Sequence, residues 1–122
     1  MDAERAVVDH LNASDVGATA YYDVPGTRPT SLSPPQPFIV VERTGGPRGE
    51  GETSRPMLDL QCWAVERQAA ALLAQAVERA LADMPARAEN VAHASITSTF
   101  RDRDLESGTP RYHVVCELYS NI

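Results

Sequence analysis

Three stretches of this chain alternate apolar and polar residues at every second position, and all three sort the same way. In residues 57–64, Leu58, Leu60 and Cys62 share one face, while Asp59, Gln61 and Trp63 share the other. In residues 91–101, Ala92, Ala94, Ile96 and Phe100 oppose His93, Ser95, Thr97, Thr99 and Arg101. In residues 111–119, Tyr112, Val114, Cys116 and Leu118 oppose Arg111, His113, Val115, Glu117 and Tyr119. Successive strand side chains point to opposite sides of a sheet, so the pattern requires one apolar face and one mixed polar face. An apolar face in water has to be covered.

The cover is legible between the strands. Residues 66–84 (ERQAAALLAQAVERALADM) place Ala69, Leu72, Leu73, Ala76, Val77, Ala80, Leu81 and Met84 at helical spacing, and Pro85 is expected to stop the helix. A shorter helix is expected at residues 3–12, with Ala3, Val7 and Leu11 on one stripe and Gly17 beyond its end. Residues 38–44 (FIVVERT) are short, apolar and β-branched, hence a strand. Residues 18–24 read as a brief extended piece, giving at most one extra edge strand. The order is therefore helix, hairpin, helix, hairpin. It predicts an α+β fold, an antiparallel sheet of about four strands with two helices packed on one face.

Two segments stand outside this pattern. Residues 27–37 hold four prolines, which remove backbone donors and forbid helix, so an extended surface connection is expected. Residues 45–56 (GGPRGEGETSRP) hold four glycines and two prolines among alternating charges, which predicts a long, charged hairpin loop that is mobile in the free subunit. At 122 residues, 43% of them hydrophobic, residues 1–122 are expected to form a single domain with one core.

Charge and composition exclude several classes of function. The net charge of −6 disfavours sequence-independent binding to nucleic acid or to an anionic membrane. No apolar run approaches the ~20 residues of a membrane span, and MDAERAVVDHL at the N-terminus lacks a signal-peptide core. Cys62 and Cys116 are expected on the core face, where a thiol is inert. His93 and His113 fall about 20 Å apart by strand register, too far to share a metal ion, and His10 has no His or Cys at ligand spacing. The serines lack a G-x-S-x-G context, and the glycines of residues 45–51 lack the lysine and the following helix of a phosphate loop. Asp102, Asp104 and Glu106 are interleaved with Arg101 and Arg103, unlike a calcium loop. No catalytic residue, cofactor site or metal site is expected, and a chain that works by binding other proteins is.

The polar sheet face supplies candidate contacts. Trp63, Val115 and Tyr119 sit among its charges like the aromatic anchors of protein interfaces. Two readings of Trp63 stay open: contact with a partner, or cover by residues 27–37 folding over the face. Arg48, Glu50, Glu52 and Arg55 of the charged loop are candidate contacts that become ordered on assembly.

Taken together, the elements resemble the tail terminator (tail-completion) proteins of long-tailed bacteriophages. The likeness runs through AVVDHL at residues 6–11, YYDVP at 21–25, PFIVVER at 37–43, a Gly-rich break, LDLQCWA at 58–64 and RYHVVCEL at 111–118. It lies in the order of elements and apolar positions and not in one diagnostic motif. The resemblance implies a structural virion protein of the tail or neck, assembled in the host cytoplasm. Its subunits would form a homo-oligomeric ring, usually a hexamer, that caps the tail tube and stops its polymerisation. The ring would present a docking surface to the head–tail connector, with DNA passing through its lumen without specific binding. The alternatives are a head-completion or connector-stopper protein of the same neck, or a small α+β enzyme, against which stands the missing cluster of titratable groups.

Overall fold

In the computed structural model, residues 2–21, 37–45, 55–88, 91–103 and 108–120 are described. Helix α1 spans Ala3–Ala13. Asp2 caps it by accepting the Arg5 N–H at 3.1 Å, and Glu4 places a negative charge in the first turn, where the helix dipole favours it. The predicted stripe of Ala3, Val7 and Leu11 is buried.

Gly17, at φ +86°, turns the chain from α1 into strand β1, Thr19–Tyr21. Asn12 holds that turn from both sides: its side chain donates to the Ala20 carbonyl at 3.1 Å and accepts the Ala20 N–H at 2.8 Å. The outward-facing backbone of β1 is thereby closed at Ala20 by a side chain, which blunts a sheet edge.

Strands β2 (Phe38–Gly45), β3 (Met57–Trp63), β4 (Val91–Arg101) and β5 (Arg111–Ser120) complete a five-stranded sheet in the order β1-β2-β3-β5-β4. The pairs β2–β3, β3–β5 and β4–β5 are antiparallel, while β1 lies parallel to β2. The expected extra edge strand therefore exists, and it is β1. Ile39, Val41, Leu58, Leu60, Cys62, Val114, Cys116 and Leu118 form one buried face that joins both helices in a single hydrophobic cluster.

Helix α2 spans Arg67–Arg87 and departs from expectation twice. It runs through Pro85 instead of ending at Met84. Pro85 removes the one rung its N–H would give to the Leu81 carbonyl and crowds that carbonyl, but only two helical residues follow it, and the Ala88 N–H still closes on the Met84 carbonyl at 2.8 Å. Its buried stripe is also rotated. Ala70, Leu73, Ala74, Val77, Ala80, Leu81 and Met84 face the sheet, whereas Ala69 is exposed and Leu72 is 57% exposed. Alanines surround Leu72 and Leu73 on every side, so periodicity alone does not choose the stripe. Placing Ala70 and Ala74 inward puts small side chains where the helix meets the sheet.

The third departure is in β4. Its register slips between Val91 and His93 and again between Ile96 and Ser98, where two residues oppose one. Thr97 is the extra residue at the second bulge, and its hydroxyl donates to the Val115 carbonyl at 3.2 Å. Beyond it every side chain changes face. Phe100 pairs with His113 on the polar side, not the apolar side, and Thr99 and Arg101 cross to the helix side.

Candidate interaction surfaces

The sheet face away from the helices is organised by one chain of contacts across β2, β3, β5 and the end of β4. Phe38 stacks on Trp63 with ring centres 5.4 Å apart. The Arg111 guanidinium lies 4.9 Å above the Trp63 ring and donates to the Asp102 carboxylate at 2.7 Å. Asp102 also receives His113 Nε2 at 3.1 Å, and His113 Nδ1 reaches Asp59 at 2.8 Å. Phe100 stacks on the imidazole at 4.8 Å.

This geometry sets the protonation of its members. Both His113 nitrogens face carboxylates, and only the imidazolium donates from both. The Asp59 hydrogen bond, against the opposing effect of burial, therefore holds the His113 pKa above its ordinary value, with Asp102 adding to it. Hydrogen bonds from Arg111 first, and from His113, hold Asp102 below the usual carboxylate range.

The candidate contact residues do not gather into one patch. Trp63 is 1% exposed. Its indole has no free surface in the single chain, so it serves as a packing partner of Phe38 and Arg111; a partner would reach it only if what lies over it moved. Residues 27–36, proposed as its cover, lie outside the described residues. Tyr119 is eight residues along β5 from Arg111, the register partner of Trp63, and so about 26 Å away. It is half-buried, tilted against His93 at 5.5 Å, and the hydrogen bond its hydroxyl donates to the Glu117 carboxylate raises its pKa while Arg55 nearby opposes the shift. Val115 is half-buried between Asp59 and Ser98. Arg55 is exposed beside Tyr119, whereas Arg48, Glu50 and Glu52 lie outside the described residues.

Nucleophilic chemistry has no support from the thiols. Both cysteines are buried and free, and burial pushes Cys116 up to about 12 and Cys62 higher still. Cys116 pairs with Leu58 and Cys62 with Tyr112, so the two lie four residues apart along the ladder, about 13 Å, beyond the reach of a disulfide. Among the described residues no three metal-type side chains converge.

Two surface features escaped the sequence reading. Arg67, Arg101, Arg103 and Arg111 line one open cleft with Asp102, where α2 begins and β5 enters. Val65, Ala69 and Leu72 line an apolar cleft with Val16 and Pro37, and Val65 is 72% exposed. The first depends on the Thr97 bulge, which carries Arg101 to the helix side, and no residue type announces that bulge. The second depends on the rotation of α2.

A two-helix layer on one face of a five-stranded, mostly antiparallel sheet defines a small α+β domain. The fold is shared by a chain in the virion of a native gene transfer agent particle, with TM-score 0.69 and 15% identity over 98% of this chain and 94% of that one. It is shared also by the bacteriophage SPP1 gp17 protein, with TM-score 0.51 and 19% identity over 97% of this chain and 86% of that one. No curated protein sequence matches the chain. The chain belongs to the tail completion protein gp17 family, which matches residues 5–119. It is thus a structural component of the virion tail or neck.

Proposed function

We propose that the chain terminates the tail: copies of it close into a ring, six in number, that caps the finished tube, stops its polymerisation and offers a surface to the head connector. The family match over residues 5–119 carries this reading. Clefts at the two ends of α2 support it, the arginine and apolar ones side by side at its start and the one lined by Asp9, Asp15 and Asp83 at its end, since a ring subunit needs contacts to two neighbours as well as to tube and connector. Val115, Tyr119 and Arg55 are the proposed contacts on the sheet face away from the helices, and Arg48, Glu50 and Glu52, outside the described residues, are proposed contacts by their charge.

Electron microscopy of particles assembled without the chain tests the proposal. Tubes of irregular, excessive length are expected, and adding the purified chain during assembly should restore one length and allow heads to join. Tubes of normal length in its absence, or a purified chain that binds filled heads and ignores tubes, would assign it to the connector side of the neck instead.

A further inference from the structure

Four of the eleven arginines of a chain with net charge −6 line one cleft. Arg111 is committed to Asp102 and Trp63. Arg67, Arg101 and Arg103 are exposed, and among the described residues none has an ion-pair partner. Arg67 opens a 21-residue helix, so the positive end of the helix dipole adds to the same region. Like charges held together in this way repel one another until an anion enters.

The neighbouring surface says what kind of anion. The apolar cleft of Val65, Ala69 and Leu72 flanks the same first turn of α2, with Val65 and Leu72 72% and 57% exposed. Apolar area with a charged rim is the anatomy of a protein interface, whereas a duplex backbone offers nothing to bury against leucine and valine. The complementary surface lies at the opposite end of the same helix. There Asp9, Asp15 and Asp83 outnumber Arg87 in a cleft between the helices that Ala13, Ala88 and Val91 also line; Asp83 is paired with Arg87, and Asp9 lies 3.9 Å from Arg5 across an exposed surface, so the cleft keeps an excess of acid. Arg67 and Arg87 are the first and last residues of α2, so the two clefts are about 30 Å apart at 1.5 Å per residue.

We propose that the arginine cleft at the start of α2 docks the Asp9, Asp15 and Asp83 cleft of a second copy of this chain. The contact joins two different surfaces head to tail, so it repeats from subunit to subunit and closes if the rotation between neighbours allows. It rests on the ring reading and specifies which surfaces make the ring. The Thr97 bulge becomes part of assembly, because it delivers Arg101 to the cleft.

Charge reversal in both directions tests the pairing. Native mass spectrometry and sedimentation of the full chain, alone and with purified tail tubes, should show wild-type rings that weaken as salt rises. Arg101→Glu with Arg103→Glu should lower association by more than about tenfold, and Asp9→Arg with Asp15→Arg should do the same. All four substitutions in one chain should return association to within about threefold of wild type, which separates a lost contact from a lost fold. Wild-type rings that the paired reversals leave unchanged, or a four-substitution chain no better than either pair, would overturn the docking surfaces and leave the ring standing. A wild-type chain that forms no ring even on tubes would overturn both. Capture of short duplex DNA by the wild type, abolished by Arg101→Glu with Arg103→Glu, would reassign the cleft to nucleic acid.

Discussion

His113 is the residue whose environment most constrains its behaviour. Its two nitrogens meet Asp59 and Asp102, and its pKa is raised. A group whose folded pKa lies above its unfolded value adds stability that is complete below the unfolded value, near 6.5, and is lost as pH rises through the folded one. The melting temperature should therefore fall by a few degrees between mildly acidic and mildly alkaline pH, and His113→Gln should flatten that slope. Equal slopes in both proteins would show that His113 does not titrate as the geometry requires. Asp102 acts in the other direction: its depressed pKa makes its contribution disappear only as pH falls through that depressed value, below 3.8. The cysteines yield a simpler expectation. With both thiols buried, labelling by a disulfide reagent should be roughly a thousandfold slower in the native protein than in urea, and oxidant should leave the melting temperature unchanged.

Among the elements, α2 separates what pattern determines from what packing decides. Leu73 is 5% exposed and its neighbour Leu72 57%. Leu73→Ala should cost about 2–4 kcal/mol in urea denaturation, and Leu72→Ala well under about 1 kcal/mol. Equal costs would mean that the helix is seated on the other stripe. Alternation in 57–64 and 111–119 was sufficient to assign both faces of β3 and β5, because neither strand carries a bulge and each is paired on both sides. It failed in β4, where one extra residue at Thr97 sends Phe100 and Arg101 to opposite sides from those counted. Edge strands carry such bulges, and their position depends on how the chain avoids an exposed ladder more than on any residue preference. The polar chain through His113 was half visible, since register places Asp59 near it. Asp102 joins only because the ladder continues one residue past β4, with its N–H bonded to the Arg111 carbonyl at 2.9 Å.

For the molecule as a whole, the distribution of charge matters more than its total. Eleven basic residues, all arginine, face seventeen acids, and four of the arginines are drawn into one cleft. Binding to duplex DNA draws its strength from counterions released as phosphates are neutralised, so it needs an extended basic track. This chain gathers four arginines around Asp102 at one end of α2 and sets three acids around Arg87 at the other, about 30 Å away. Once the arginine cleft is filled by the acids of a neighbour, the assembled surface has little left to hold a phosphate backbone, and the excess of acid repels it. Anisotropy of labelled duplex DNA should accordingly show a dissociation constant no tighter than about 100 μM at physiological salt for the ring, weaker than ordinary non-specific binders. Should the assembled protein hold DNA in the micromolar range with a steep salt dependence, the lumen would be a grip on the genome and not a neutral passage, and the arginines would have to be sought along its wall.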